Sequence, residues 1–158
     1  MKLNILNKKN TATTNAKLGS DLEKRVCEIL KNYGFFAHNC LNGIVGQPCD
    51  IIAMHGNINI LLDCKHLNKG TRFDFKNIQD NQYACFDKAE RLCEIKRTGF
   101  VIYCEDLQKL YYLPFSLVKA NQNYSSISVH CEQLELFSSV LNYWREEYER
   151  GLWTFIIW

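Results

Sequence analysis

Asp50, Asp63 and Lys65 have the spacing by which one β-hairpin would bring two carboxylates and an amine together. Asp50 opens the run Asp50-Ile-Ile-Ala-Met-His55, and Asp63 and Lys65 close Ile58-Asn-Ile-Leu-Leu-Asp-Cys-Lys65. Between them, Gly56-Asn57 is a two-residue signal for a primed hairpin turn. That turn pairs His55 with Ile58, Ala53 with Ile60 and Ile51 with Leu62, and sets Asp50 opposite Asp63. Directly opposed residues share a sheet face, with Cβ atoms roughly 4.5–5.5 Å apart, and Lys65, two residues beyond Asp63, shares it too. Opposed like charges destabilise a hairpin, and a divalent cation offsets the repulsion. Mg²⁺ takes oxygen ligands, keeps several waters and often uses one or two carboxylates plus a substrate phosphate. Lys65 would orient or help deprotonate the attacking water, or neutralise charge on a phosphate. The alternative is a surface hairpin on which Asp63 and Lys65 form an ordinary ion pair. A three-residue turn would break the register.

The composition suits one globular domain. The chain has 158 residues, 47% of them hydrophobic and 23% charged, which is enough to bury a core without covalent staples. No apolar run reaches membrane-spanning length, and the start, Met1-Lys-Leu-Asn-Ile-Leu-Asn-Lys-Lys9, is too polar for a secretory signal, so a cytoplasmic protein is expected. The eight cysteines include no Cys-x-x-Cys pair, which argues against zinc and iron–sulfur sites, and they are expected to be reduced. Residues 1–100 hold 15 Lys and Arg against 10 Asp and Glu, whereas residues 101–158 hold 4 against 7. The basic half therefore carries the carboxylates. Lys65, His66, Lys69, Arg72 and Lys76 cluster there with only Asp74 to offset them. A phosphate-facing loop and a merely solvated one fit that charge equally well.

These residues need elements to position them. Residues 1–16 read as a flexible basic arm ahead of a single domain, 17–158. Leu22, Val26, Ile29, Leu30 and Tyr33 repeat at helical spacing up to Gly34, and Ser20-x-x-Glu23 has the form of a capping box. A loop from Asn39 to Gln47 precedes the hairpin, and a loop over 66–75 follows it. The spacing then predicts a helix from about Lys76 to Lys96, whose apolar stripe is interrupted by Gln82, an amide that needs partners. Gly99–Cys104 and Leu110–Leu113 read as a second hairpin around a turn at Glu105–Gln108, ended by Pro114. Glu132–Tyr148 carries Leu134, Phe137, Leu141, Trp144 and Tyr148 at helical spacing, and Leu152–Trp158 is too apolar to be left in water.

The order helix, hairpin, helix, hairpin, with Pro48-Cys49-Asp50 and Asp63-Cys64-Lys65 on the first hairpin, resembles the PD-(D/E)xK nuclease superfamily. Thr71-Arg-Phe-Asp-Phe-Lys-Asn-Ile-Gln-Asp-Asn-Gln82 is similar to the segment after the catalytic lysine in RecU-type Holliday-junction resolvases. Gly19-Ser-Asp-Leu-Glu23 resembles that family's first-helix motif, and Gly99–Pro114 its last core hairpin. The resemblance covers about residues 17–116 and leaves 117–158 as a further helix and an apolar tail. It implies an α/β fold with a restriction-endonuclease-like core, a mixed β-sheet of two hairpins flanked by helices (αβββαβ). It makes Asp50, Asp63 and the Cys64 backbone carbonyl ligands of Mg²⁺, for which Mn²⁺ would substitute, and Lys65 the residue acting on the nucleophilic water. Glu23 becomes an accessory acid, with capping as its alternative, and Gln82 an active-site amide, with core capping as its alternative. On a nuclease, the basic cluster read from charge makes Lys69, Arg72 and Lys76, with His66 beside Lys65, the expected DNA contacts. The family usually has Glu at position 63 and a small hydroxyl residue at position 49, and the tight turn leaves no room for an inserted stalk.

The leading expectation is thus a metal-dependent, structure-selective DNA endonuclease that resolves four-way junctions as a homodimer, without a small-molecule cofactor or a membrane partner. A restriction-like or repair nuclease on the same fold is the second reading. A catalytically silent DNA-binding or inhibitor module is the third.

Overall fold

The computed structural model describes residues 15–40, 47 and 49–156. Helix α1 spans Asn15–Asn32 and buries Leu22, Val26 and Leu30, one stripe at four-residue spacing. Gly34, at φ +88°, ends it: the amide of Gly34 bonds the Lys31 carbonyl and that of Phe35 the Leu30 carbonyl, the two bonds of a Schellman cap. Strands β1 (Phe36–Asn39), β2 (Ile51–His55), β3 (Ile58–Leu67) and β4 (Arg72–Asp74) follow, then a 3₁₀ turn at Phe75–Asn77 and helix α2 (Asp80–Leu92). After these come β5 (Arg97–Cys104), β6 (Lys109–Pro114), α3 (Phe115–Ala120), β7 (Ser126–Ser128), β8 (Glu135–Leu136) and α4 (Phe137–Ile156).

Among the described residues six strands form one sheet in the order β1-β2-β3-β5-β6-β8, and β4 pairs with β7 apart from it. Of these pairings only β3–β5 is parallel, with Asp63 beside Phe100 and Lys65 beside Ile102; β2–β3 and β5–β6 are antiparallel hairpins. The expected mixed sheet of two hairpins flanked by helices is therefore present, widened by short strands at both edges. Alternation along the strands sorts the core into two layers. Ile51, Ala53, Ile60, Leu62 and Val101 face α1 and α4, while Phe100, Ile102 and Cys104 meet Phe86 of α2 and Phe115 of α3 on the other face. Among the described residues no helix is long and apolar enough to cross a membrane.

The hairpin has the anticipated register: Ile51 pairs with Leu62, Ala53 with Ile60 and His55 with Ile58. Gly56 turns at φ +60° while Asn57 keeps a negative φ, the II′ pattern that needs glycine first. A side chain at Gly56 would also strike Tyr148 of α4, whose ring atom lies 1.9 Å from the position a Cβ would take.

Several expectations are corrected. The pairing does not extend to Asp50 and Asp63. The Asp50 amide donates to the Leu62 carbonyl at 3.0 Å, the residue already paired with Ile51, so Asp50 steps out of the ladder as in a β-bulge. The first helix already includes Asn15 and Ala16, so Ser20 lies inside it and caps nothing; the rest of the expected arm, 1–14, is outside the described residues. The second helix starts at Asp80 and stops at Leu92 instead of running from 76 to 96, because residues 75–77 tighten into a 3₁₀ turn. The loop expected at 66–75 is largely strand, and the last helix begins at Phe137 rather than 132. Most of the loop before Asp50 and the side chains of the apolar tail lie outside the described residues.

Candidate active site

Asp63 stands on β3, buried to 1% exposure, one residue past Leu62, where the pairing with β2 stops. Lys65 Nζ lies 2.7 Å from Asp63 Oδ1 and donates to Gln82 Oε1 at 2.9 Å. Gln82, in the first turn of α2, donates its amide to Asp63 Oδ2. The Gln82 oxygen also accepts the Gln79 amide at 3.1 Å, and the Gln79 side chain reciprocates on the backbone of Gln82. This reciprocal cap fixes which way the Gln82 carboxamide points, so that its NH₂ meets a carboxylate and its oxygen an ammonium. Asp50 reaches the same place from the other strand: its Oδ2 accepts the Cys64 amide at 2.7 Å. A strand residue turns its N–H and C=O to one side, so the Cys64 carbonyl also leaves β3 on the Asp50 side. Asn81 donates to the Gln47 carbonyl at 2.9 Å and ties α2 to the segment that leads into Asp50.

Burial raises the pKa of the Asp50 carboxyl. Asp63 is pushed up to about 7, first by burial and then by the Asp50 charge, against the pull of Lys65, with Glu23 adding to the rise. Glu23 is buried in the middle of α1 and acts on Asp63 through its charge. Its place is within a helix, not at a helix start, and the capping alternative falls.

Within the cluster one carboxylate oxygen lacks an aligned donor. The contact of Asp63 Oδ1 with Lys65 is close enough for ion pairing but outside hydrogen-bond geometry, so this buried oxygen is met by a charge and not by a well-aligned hydrogen bond. An unsatisfied buried carboxylate oxygen costs about 1–3 kcal/mol or more, unless something else meets it. The donor set fits a hard divalent cation: two carboxylates, one of them with an open oxygen, and a backbone carbonyl beside them. Among the described residues no three His, Cys, Asp or Glu side chains converge to hold a metal by themselves. A small cation here would therefore keep several waters, as Mg²⁺ does.

Asp50, Asp63, Lys65 and Gln82 come together, and Glu23 joins them through its charge. The basic residues do not. Strand alternation turns His66 to the α1 face, where it bonds Glu105 at 2.9 Å and packs on Tyr103. Arg72 of β4 donates twice to Ser126, and Lys76 pairs with Asp74 at 3.2 Å; both are exposed. Lys69 is exposed on the loop that Asp106 pins through the Gly70 amide. Sequence reasoning missed Gln79 and Asn81. The spacing Gln79-x-x-Gln82 is itself a capping-box signal, whereas nothing local announces the Asn81 contact.

No family model matches this chain, and no curated protein matches it. Solved structures do. A Holliday junction resolvase of the archaeal hyperthermophile Archaeoglobus fulgidus superposes with a TM-score of 0.61 at 14% identity, over 78% of this chain and 99% of the resolvase. A bacterial homing endonuclease superposes with a TM-score of 0.52 at 13% identity, over 89% of this chain and 97% of the endonuclease. This chain thus shares its fold with that resolvase and that homing endonuclease.

Proposed function

We propose that the protein is a divalent-cation-dependent DNA endonuclease that hydrolyses phosphodiester bonds, acting on branched DNA such as the four-way junction. The observation that carries this reading is the Asp50–Asp63–Lys65 cluster with its open Asp63 oxygen, set on a fold shared with a resolvase and a homing endonuclease. Asp50, Asp63 and the Cys64 carbonyl would hold the cation. When bound, Mg²⁺ supplies Lewis acidity, neutralising charge on a phosphoryl oxygen and making water more acidic. Lys65 does the rest with its three donors: one meets Gln82, the ion pair with Asp63 holds the ammonium in place, and its other N–H groups can meet the attacking water or a non-bridging phosphoryl oxygen. Gln82 keeps both partners in register, and the Cys64 amide keeps Asp50 turned inward. The basic half of the chain supplies sequence-independent attraction for the phosphate backbone, and a homodimer would offer two such sites to a two-fold junction.

A second reading, cleavage of continuous duplex, is favoured by the likeness to the homing endonuclease, which extends over 89% of this chain. One experiment separates them. The protein is offered a four-way junction, a linear duplex and a single strand in Mg²⁺, Mn²⁺, Ca²⁺ or EDTA. Cleavage of the junction is expected in Mg²⁺ and Mn²⁺ and absent in Ca²⁺ and EDTA. Full cleavage in EDTA would sink the cation mechanism, and cutting of the linear duplex at an equal rate would favour the second reading.

A further inference from the structure

The start of α2, the helix that carries Gln82, borders a cavity of about 250 Å³. Its lining includes Phe75, Ile78, Asp80, Tyr83, Gln122 and Tyr124. Asp80 and Tyr83 share the first turn of α2 with Gln82, the residue that meets Asp63 and Lys65. The walls are held. The Phe75 amide bonds the Ser125 carbonyl, the Tyr124 amide bonds the Asn121 carbonyl, and the Tyr83 ring stands edge-on to Phe115 at 4.8 Å. Tyr124 nevertheless leaves 67% of its surface in solvent.

We propose that this cavity receives one unstacked nucleobase of the DNA substrate, with Tyr124 and Phe75 offering ring faces and Asp80 accepting hydrogen bonds from the base's amino or imino group. The inference rests on the nuclease reading. The chemistry selects a base over a phosphate, because the Asp80 carboxylate repels an anion but accepts from an exocyclic amine such as cytosine N4. Gln122 donates to the Tyr83 hydroxyl, which leaves a Tyr83 O–H donor and a Gln122 carbonyl acceptor for the other base edges. Aromatic stacking accepts any base, since each has a π-face. The site therefore reads whether a base is unpaired and does not read which base it is. Unpaired or easily opened bases occur at branch points and mismatches and not in continuous duplex, so the cavity would add structure selectivity to a catalytic cluster that has none.

Fluorescence anisotropy in Ca²⁺ tests this with three DNAs: a continuous duplex, the same duplex with one extrahelical base, and that duplex with an abasic residue in place of the base. Wild type is expected to prefer the extrahelical base over the abasic residue. Tyr124→Ala should weaken that complex about five- to a hundredfold, the range of one base–aromatic stack, and leave the continuous duplex within about twofold. Tyr124→Phe should keep the preference, and both variants should fold because the side chain is exposed. Equal affinities of wild type and Tyr124→Ala on all three DNAs, or an equal loss on all three, would overturn the proposal. If wild type binds none of these DNAs and also cuts no four-way junction in Mg²⁺, the nuclease reading fails and takes the cavity with it. If wild type binds and cuts while Tyr124→Ala is silent, only the cavity assignment fails.

Discussion

Helix α2 carries a polar cluster at each end, and both clusters tie it to the sheet. At its C-terminal end, Glu90 accepts from the Thr98 hydroxyl of β5 with one oxygen and from Lys119 of α3 with the other, each at 2.5 Å. At its N-terminal end, Gln82 meets Asp63 and Lys65 of β3. The residue types are alike: a carboxylate, a lysine and a neutral polar side chain. The Glu90 carboxylate has a donor on each oxygen. The Asp63 carboxylate has a donor on one, and Asp50 and Glu23 add their negative charges to it. A saturated cluster has no capacity left for a ligand, and its effect is on stability. An unsaturated cluster with excess negative charge is less stable alone and gains from a cation. Polar satisfaction therefore distinguishes the two ends where composition does not.

The largest expected effect comes from exchanging matched changes between them. Asp63→Asn should lower cleavage by roughly a hundredfold or more while DNA binding holds or tightens, and the variant should be no less stable than wild type. Glu90→Ala should leave cleavage by the folded protein near wild type and destabilise by about 1–3 kcal/mol in urea unfolding. If Glu90→Ala lost cleavage without losing stability, the distinction would collapse.

Gln82→Ala comes next. It deletes the donor to Asp63 and the acceptor for Lys65 but no charge, so a loss of about ten- to a hundredfold in single-turnover rate is expected, with DNA affinity unchanged. A wild-type rate would return Gln82 to a core role.

The third expectation concerns pH. An aspartate with a folded pKa near 7 against an unfolded value of 3.8 keeps a proton in the native state that the unfolded chain has released. Between those values the native state binds more protons, so the cation-free protein should lose stability as pH rises from about 4 to 7 and then level off. Urea unfolding in EDTA should show this fall in wild type and a shallower one in Asp63→Asn. Equal profiles would deny Asp63 its raised pKa.

The smallest effect belongs to the basic segment. Arg72→Ala should lower the salt slope of log K for DNA binding by about one unit if Arg72 meets a phosphate. Lys76 already has Asp74 at 3.2 Å and should change the slope less. Identical slopes for wild type and both variants would remove the segment from the DNA interface.

What the sequence made legible follows from range. The hairpin register was readable because Gly56-Asn57 and strand alternation are local, and they sufficed to place Asp63 and Lys65 on one face. The same logic overreached by one residue. The bond from the Asp50 amide to the Leu62 carbonyl is a bulge that no residue type announces, yet it presents the carboxylate to the Cys64 amide. Gln82 stood out as a polar residue on an apolar stripe, and its partners could be guessed only through resemblance. The short strands β1, β4, β7 and β8 were missed because two to four residues carry no usable period. Charge clustering misled for His66, whose hydrogen-bond partner Glu105 is remote in sequence.

The hairpin that bears Asp63 is closed at its tip by the ring of Tyr148 against Gly56, with His55 at 4.5 Å from the same ring and bonded to the Gly34 carbonyl. On the ribosome this ordering has a temporal meaning. All the residues of the carboxylate cluster emerge long before Tyr148, and the parallel pairing of β3 waits for β5. A nascent chain thus holds these carboxylates for some time without the packing that fixes the strand they stand on. Synthesis of α4 then ends the interval between making those residues and closing the hairpin that carries them.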